Sequence, residues 1–441
     1  MSPRLAAATV WCALLALAVL PLLARNILAI PVLAPLDPNE GWNAAHALAA
    51  MAGRALYPPP QSLMVNNYPP LSFYIVGELG RLTGDAVIAG RILALLSFLA
   101  VCGGIALLLG QMACGRLARL CGLLFFAATL LVASDYVGMD DPQLLGHAVQ
   151  LAALLALLRG QTLTAALIFA TSLFIKHNLL ALPLAAGAWL LWQDRGAALR
   201  FIVCGIAAAI LGLVLCRLIY GAGLLTSLMS PRLMSLANLR FAILHLWWAA
   251  LPLAAVTALR GPWKDFCRLY AGTALLVGLG FSAGDGVDAN AFFDLVIACA
   301  LALGLMAERG PVFAALCAAP LPLFLAFNFS DNNFFFTRDF AAQSGRDIAF
   351  LKSRPGPALC DQLSLCLWAG KKAEVDVFNV GEQIKTGARD AAPLAGMIAS
   401  RRFAVLQLQD LDALGPQVRT AIEKHYRTNH SDDNGSFLIP R

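Results

Sequence analysis

Charged residues are scarce in this sequence. Only 13% of its 441 residues are charged and 59% are hydrophobic, whereas soluble domains contain about 25% charged residues. A single soluble core cannot bury such an excess of apolar side chains. The composition therefore excludes an ordinary soluble globular protein and favours a chain that lies mostly in a membrane.

Motifs of several common enzyme classes are also missing. No P-loop, GxGxxG, HExxH or GxSxG motif is present, and the 11 cysteines contain no CxxC spacing of the kind that binds metals. Most cysteines lie in apolar runs, where Cys behaves as a small hydrophobe. Cys360 and Cys366 lie in the polar C-terminal part instead, and they can form a disulfide if that part is extracytoplasmic.

The positive charge has a topological explanation. A net charge of +6 would suggest nucleic acid as the partner of a soluble protein. Here, however, most arginines and lysines lie in short loops between apolar runs, as the positive-inside rule describes. No nucleic-acid partner is therefore expected.

Long apolar runs occur along most of the chain. They approach or reach the roughly 17–25 residues that span a hydrocarbon core, at residues 5–24, 92–110, 201–215, 241–259 and 291–306. With the N-terminus in the cytoplasm and an uncleaved first span, hydropathy and loop charge predict about eleven spans. We expect an integral, multi-pass protein of the inner (plasma) membrane, with membrane lipids among its partners.

The composition divides the chain in two. Residues 1–336 form the predicted transmembrane domain, whose first outer loop, about residues 30–84, is expected to contain interfacial helices. Residues 337–441 form a predicted periplasmic α/β domain. Its expected elements are strands at 358–367, 403–408 and 437–440 and an amphipathic helix at 411–426, where Asp410-Leu411-Asp412 is expected to cap the helix.

Acidic residues collect at the predicted outer face. Asp37 and Glu40 follow the first span, and Asp140 and Asp141 lie at the outer end of a later one. Each pair has two interpretations. Asp residues before a helix often cap it, whereas acidic loops that meet on one face can hold a cation or share a proton.

Two further outer segments contain polar residues between apolar runs. Lys176 and His177 interrupt residues 162–192, so we expect the chain to reach the outer surface there and turn back. Lys176 can snorkel to the headgroups or bind a phosphate beside carboxylates. The segment 284–290 suits a loop, but Asp294 is harder to explain, because apolar neighbours surround it.

The order and spacing of these residues resemble the GT-C superfamily of polyprenyl-phosphate-sugar glycosyltransferases. This group includes protein O-mannosyltransferases of glycosyltransferase family 39 and lipid A aminoarabinose transferases. The matching positions are Asp37, Glu40, Tyr68-Pro69-Pro70, Gly90-Arg91, Asp140-Asp141-Pro142, Lys176 and the segment 284–294. The resemblance implies an all-α polytopic membrane bundle with a small C-terminal α/β extracytoplasmic domain.

The resemblance also implies roles for individual residues. An acidic residue of the first outer loop, Asp37 or Glu40, would serve as catalytic base or position the acceptor, and Asp140 or Asp141 would act from the next loop. The acceptor hydroxyl would attack the anomeric carbon with inversion, while a cation neutralises the departing phosphate. The expected substrate-binding residues are Tyr68, Arg91, Lys176, His177, Asn290 and Asp294.

One position departs from the family pattern. Some bacterial members carry an acidic residue and a lysine just before the proline motif, where this sequence has Asn66 and Asn67. This departure argues against aminoarabinose specificity and puts a metal at this point in doubt. The cofactor therefore stays unknown, with a divalent cation as an open alternative and no metal ligand assigned.

The sequence thus predicts a membrane glycosyltransferase. It would move a hexosyl or pentosyl group from a polyprenyl-phosphate donor to a glycan, lipid or protein acceptor of the cell envelope. Two other classes stay open, namely a transporter or flippase of lipid-linked saccharides and a non-catalytic assembly subunit. Against a transporter, the charges gather on one face rather than near the midplane, and no inverted repeat is visible.

The predicted sidedness has a direct test. Residues near Lys264 should face the cytoplasm and residues after Arg338 the outside, because basic loops stay on the cytoplasmic side. Cysteines introduced at these two places should react with an impermeant maleimide from opposite sides of the membrane. Labelling of both from one side would contradict the orientation.

Overall fold

The structure is a computed structural model, and it describes residues 3–133, 135–317 and 338–441. Residues 3–317 are helical. The helices are α1 (Pro3–Ala29), α2 (Pro38–Met51), α3 (Leu71–Thr83), α4 (Ala86–Gln111), α5 (Arg116–Ala133), α6 (Gln143–Leu158), α7 (Thr162–Ser172), α8 (Ala181–Gln193), α9 (Arg195–Tyr220), α10 (Gly223–Leu228), α11 (Leu236–His245), α12 (Ala250–Ala258), α13 (Lys264–Ser282), α14 (Phe293–Arg309) and α15 (Pro311–Cys317). Short 3₁₀ turns occupy Asp135–Val137, Leu246–Ala249 and Ala289–Phe292.

Five helical stretches of the described chain are long and apolar enough to cross a membrane, and all five contain or overlap predicted spans. They are Thr9–Ala29, Ala86–Gln111, Arg195–Tyr220, Leu236–Ala258 and Ala289–Arg309. Shorter apolar helices accompany them. The stretches support an integral membrane protein, and the count of about eleven spans stays a prediction.

Burial separates a central helix from a peripheral one. Almost every residue of α14 is buried, whereas α9 exposes large apolar side chains such as Ile206, Ile210 and Leu218. A helix that is apolar all round suits either a protein interior or lipid. Small residues allow neighbouring helices to pack closely on α14. For example, a Cβ on Gly122 of α5 would lie only 2.7 Å from the Ala300 carbonyl oxygen of α14.

Residues 30–84, the predicted first outer loop, contain two short helices, α2 and α3. Asp37 caps α2, because its side chain accepts a hydrogen bond from the Asn39 N–H, and Pro38 occupies the first helical position. Gly84 ends α3 with a φ of 81°, a left-handed conformation that favours glycine. The chain also turns back between α7 and α8 at Lys176, as predicted.

The C-terminal residues build a small sheet with helices around it. The helices are α16 (Arg338–Ser353), α17 (Leu363–Trp368), α18 (Val377–Lys385), α19 (Ala392–Ala399) and α20 (Pro416–His425). The strands are β1 (Ala358–Cys360), β2 (Val405–Leu408), β3 (Tyr426–Asp432) and β4 (Gly435–Pro440), in the order β1-β2-β4-β3. Strands β1 and β2 are parallel and the other pairs antiparallel. The predicted domain boundary at 336/337 lies outside the described residues.

Several predicted C-terminal elements need correction. The strand expected at 358–367 ends at Cys360, and the helix α17 follows, because burial of Leu363, Leu365 and Cys366 suits a helix face. The helix expected at 411–426 begins only at Pro416, since Asp410 accepts a hydrogen bond from the Asp412 N–H in a turn instead of capping a helix. Strand β3 was not predicted. Most of its residues are polar and exposed, so it lacks the alternation of apolar and polar residues that indicates a half-buried strand.

A disulfide joins Cys360 and Cys366, the pair singled out in the sequence. It closes the turn that leads from β1 into α17, and α17 packs against α2 of the outer loop. The approach is so close that a Cβ on Gly41 would lie 2.1 Å from the Ser364 backbone nitrogen. The C-terminal unit is thus held on the outer-loop helices through a glycine contact.

Replacement of Gly41 tests this contact. We expect Gly41→Ala to lower the free energy of unfolding by about 1–3 kcal/mol, because a side chain there must push backbone apart. Gly103→Ala on α4 is the matched control, since a Cβ there meets nothing within 4 Å. Thermal unfolding in detergent measures both variants, and equal stability would contradict the packing of α2 on α17.

Candidate active site

An acidic cavity of about 390 Å³ lies between the outer loop and the C-terminal unit. Its walls come from the start of α2, the segment before α14 and the ends of β1 and β2. Five carboxylates line it, those of Asp37, Asp288, Asp361, Asp376 and Asp410. Residues remote in sequence therefore contribute one concentrated negative charge.

Asp37 has both a structural contact and a free oxygen. Its Oδ1 caps α2 at 2.8 Å from the Asn39 nitrogen, whereas no hydrogen bond to Oδ2 occurs within the described residues. Burial raises the pKa of Asp37 to about 6, the Asn39 N–H acts against this, and the charges of Glu40, Asp141 and Asp288 add to it. A carboxyl group of this kind can take up a proton near neutral pH.

Trp42 fixes the opposite wall of the acidic cavity. Its Nε1–H donates to the Val65 carbonyl at 3.0 Å and to Asp376 Oδ2 at 2.8 Å. Asn379 holds the same carboxylate with its backbone N–H and its side chain. The cavity is therefore shaped by bonds that join the first outer loop to α18.

A second cavity, of about 490 Å³, lies beside the first. Its walls are mostly apolar and come from α5, α11, α14 and two 3₁₀ turns, with Phe241 of α11 and Trp248 and Phe292 of the turns among them. The residues 286–288 line both cavities. One short loop thus separates an apolar-walled cavity from an acidic one.

Glu40 and Arg91 form a fully buried ion pair. Arg91 Nε lies 2.6 Å from Glu40 Oε2 and its Nη2 lies 2.8 Å from Oε1. The other N–H groups of Arg91 donate to backbone carbonyls of the turn after α1, at Ala29, Ile30, Val32 and Ala34. No N–H of Arg91 remains for a phosphate, and Glu40 lines neither cavity, so the geometry does not support the predicted chemical roles of these two residues.

Asp140 packs directly on α4. A Cβ on Gly90 would lie 2.0 Å from the Asp140 carboxyl carbon, so only glycine leaves room. Asp140 Oδ2 is buried without a hydrogen-bond partner in the described structure. Burial raises the pKa of Asp140 well above its usual range, and the charges of Glu40 and Asp141 raise it further. Burial and the neighbouring negative charges therefore favour the protonated form of this carboxyl group.

Asp141 points away from Asp140 and meets Lys176. The Lys176 ammonium lies 2.8 and 2.9 Å from the two carboxylate oxygens, and the Gln143 N–H donates to Oδ1 at 2.7 Å. Burial lowers the pKa of Lys176, but the charges and hydrogen bonds of Asp141 and Tyr68 together outweigh burial and raise it. Lys176 also lies 4.8 Å from the centre of the Tyr68 ring, a cation–π contact.

Two other predicted residues line the interior instead. Asp294 accepts a hydrogen bond from the Tyr270 hydroxyl at 2.6 Å, and the His147 ring approaches it to 3.9 Å. Asn290 is buried in the 3₁₀ turn before α14. His177 is exposed and faces the edge of Tyr68 at 6.5 Å between ring centres. Asn290 and Asp294 therefore lie apart from the carboxylates of the acidic cavity.

Asn66 and Asn67 have structural contacts. Asn66 is buried and its side chain accepts a hydrogen bond from the Tyr68 N–H, while Asn67 donates to the Asn379 side chain at 3.0 Å. At the position where some family members carry charges, Asn67 therefore contacts α18.

The structure adds residues that the sequence did not indicate. Arg232 donates to the Asp285 carbonyl at 2.9 Å and lies 5.3 Å above the Phe378 ring, beside the acidic cavity. Asp361 and Asp376 come from the C-terminal unit. These two residues come near Asp37 only in the folded chain. The one sequence signal for them is the change to a polar composition after residue 337.

Comparison with solved structures shows which fold this is. The chain aligns with ArnT from Cupriavidus metallidurans bound to undecaprenyl phosphate with a TM-score of 0.60 and 14% identity, over 98% of each chain. The apo form of that protein gives the same values. Arabinofuranosyltransferase AftD from Mycobacteria aligns with a TM-score of 0.47 and 15% identity, over 97% of this chain and 40% of that one.

No protein-family model matches the sequence, and no curated protein matches it. The fold is nevertheless defined, because the likeness to ArnT, a lipid A aminoarabinose transferase, extends over nearly the whole chain. The resemblance to the GT-C glycosyltransferases predicted from the sequence is thereby confirmed at the level of the fold.

The buried ion pair permits a sharp test of its structural role. We expect Glu40→Gln or Arg91→Gln to cost about 3–5 kcal/mol in the free energy of unfolding, since the remaining charge is buried without its partner. The matched control is Arg81→Gln, which removes an exposed partner of Glu78 and should cost about 0–1 kcal/mol. Thermal unfolding in detergent compares them, and similar losses would contradict the assigned role.

Proposed function

We propose that this protein is a membrane glycosyltransferase that moves a sugar from a polyprenyl-phosphate donor to an acceptor in the cell envelope. The observation that carries the proposal is the pair of adjoining cavities at residues 286–288, one apolar-walled and one acidic. A lipid-linked donor needs both kinds of surface. In this proposal residues 1–336 form the transmembrane domain and residues 337–441 the extracytoplasmic one.

The apolar-walled cavity suits the lipid part of the donor. Aromatic and aliphatic side chains of α5, α11 and α14 line it, and α11 exposes further apolar side chains such as Phe241 and Leu244. ArnT, whose fold this chain shares, has been solved with undecaprenyl phosphate bound. The likeness supports an isoprenoid chain in a cavity of this kind, with the sugar towards the acidic cavity.

Two cations lie behind the walls of the acidic cavity, since Arg232 packs on Phe378 and Lys176 on Tyr68, which contacts Trp42. Burial raises the pKa of the Tyr68 hydroxyl, and the positive charges of Lys176 and Arg232 act against this. Lys176 is held by Asp141, and Arg232 lies beside the segment that divides the cavities. We assign these residues to neutralising the phosphate as it leaves, since charge that develops in the transition state is stabilised by cations already in place.

Asp37 is the proposed catalytic base. The acceptor hydroxyl attacks the anomeric carbon, its oxygen forms the new bond, and its proton passes to Asp37 Oδ2. The bond from the anomeric carbon to the phosphate oxygen breaks, and the electron pair leaves with the polyprenyl phosphate. Of the four predicted carboxylates, Glu40 is paired with Arg91 and Asp141 with Lys176, while Asp140 packs on Gly90 and does not line the acidic cavity, which leaves Asp37.

A flippase for lipid-linked saccharides is the second candidate. It would use the same cavities without cleaving a bond, and a non-catalytic assembly subunit would share the scaffold. The transferase is favoured because the chain shares the fold of ArnT, a lipid A aminoarabinose transferase, over nearly its whole length. The sugar and the acceptor are not assigned.

Substitution of Asp37 separates catalysis from capping. Asp37→Asn keeps an oxygen that accepts the Asn39 N–H, and Asn caps about as well as Asp, so stability should not fall. Sugar transfer should fall by about 10²-fold or more. Asp194→Asn is the matched control, because Asp194 caps α9 in the same way away from the cavities. Transfer that survives in both variants would remove Asp37 as the base.

The pH dependence provides an independent test. The base must be deprotonated, so with a pKa of about 6 for Asp37 the transfer rate should fall about tenfold per pH unit below pH 6. Because the pKa of Asp37 is raised on folding, the folded chain binds this proton more tightly than the unfolded chain does. The contribution of this proton to the free energy of unfolding is present at low pH and is lost as the pH rises through about 6. Rates measured from pH 4.5 to 8, with thermal unfolding in parallel, check both, and a flat rate profile would contradict the assignment.

A further inference from the structure

A second cluster of potential ligands lies in the C-terminal unit. Asp347 of α16 and His430 and Asp432 of β3 each direct one ligand atom to a common point, and these atoms all lie within 4.8 Å of one another. His430 and Asp432 are two residues apart on a strand and so project to the same face. None of the three lines either cavity of the candidate active site.

We propose that Asp347, His430 and Asp432 bind a divalent transition-metal cation such as Zn²⁺ or Mn²⁺. The set offers one imidazole and two carboxylates, ligands that both ions accept in proteins. With a neutral imidazole the cluster has a charge of about −2, which a divalent cation balances. Asp432 is only partly exposed and Asp347 is buried, so water screens their repulsion poorly.

The separations suit a metal coordination sphere. Asp347 Oδ1 lies 3.1 Å from His430 Nε2, and Asp432 Oδ2 lies 3.9 Å from the same nitrogen. Bonds of about 2.0–2.2 Å in a tetrahedral arrangement place neighbouring ligand atoms about 3.4 Å apart. The third pair of ligand atoms, from Asp347 and Asp432, lies within 4.8 Å, so shifts of at most about 1.5 Å bring all three atoms into range of one ion.

The remaining atom of each ligand is held by an asparagine. Asn434 donates from its side chain to Asp347 Oδ2 at 2.7 Å and from its backbone to Asp432 Oδ1 at 2.9 Å. Asn429 lies 2.9 Å from His430 Nδ1, and its oxygen can take the Nδ1–H of a metal-bound ring after an amide flip. Metal-binding His and carboxylate side chains typically have such orienting partners.

Packing fixes the imidazole as well. The His430 ring stacks on Phe437 with 4.4 Å between ring centres and meets the edge of Phe350 at 5.1 Å. The register shift of β3 between Thr428 and His430 aims the ring at α16. A bound ion would therefore tie α16, the first described helix after residue 317, to the hairpin of β3 and β4.

Metal binding by the full-length protein tests the proposal without any measure of transfer. The protein is purified in detergent, stripped with a chelator and titrated calorimetrically with Zn²⁺ alone and with Mn²⁺ alone. We expect one ion per chain for at least one of the two metals. His430→Gln and Asp432→Asn should each weaken that binding by about 10-fold or more.

The variants are chosen so that a folding defect does not imitate the result. Asp432→Asn keeps an oxygen for the Asn434 N–H, so the turn should survive while the ligand charge is lost. His425→Gln on α20 is the matched control and should bind as the wild type does, because His425 is outside the cluster. Absence of saturable binding up to about 100 µM in the wild type, or equal affinity in the cluster variants, would overturn the proposal.

Discussion

The buried pair of Glu40 and Arg91 is the interaction on which the outer face depends. Arg91 reaches from α4 to four carbonyls of the turn after α1 and to the carboxylate of α2. These bonds fix where α2 begins, and Asp37 lies at that point. Helix α2 also packs on α17 and, through Trp42, contacts α18. The Glu40–Arg91 pair therefore positions the walls of the acidic cavity between residues 30–84 and the C-terminal unit.

The four predicted carboxylates consequently have different chemistry although they lie close together. An arginine holds Glu40, a lysine holds Asp141, and burial of Asp140 raises its pKa and leaves its Oδ2 without a partner in the described residues. Asp37 alone among the four both lines the acidic cavity and keeps an oxygen free of hydrogen bonds to the described residues. The interpretations of Asp37 as a helix cap and as a base are therefore compatible, since each uses a different oxygen.

Sequence patterns predicted much of the fold, because long apolar runs and helix caps are local signals. The five long apolar stretches, the return at Lys176 and the cap at Asp37 all follow from neighbouring residues. The pairing of Glu40 with Arg91 could not be predicted, since it depends on where α4 crosses α2. Neither could Asp361 or Asp376, because their approach to Asp37 requires the docking of the C-terminal unit. Short elements such as β3 and α17 contain too few residues to show a recognisable hydrophobic periodicity.

The central claim is that a bond between sugar and phosphate is broken at the outer face. The most direct measurement incubates the purified protein with a polyprenyl-phosphate donor carrying a labelled sugar, together with envelope glycans, lipids and proteins as acceptors, and quantifies free polyprenyl phosphate. The account predicts that polyprenyl phosphate appears in step with labelled acceptor. Intact donor that is merely moved from one leaflet of a vesicle to the other would contradict it.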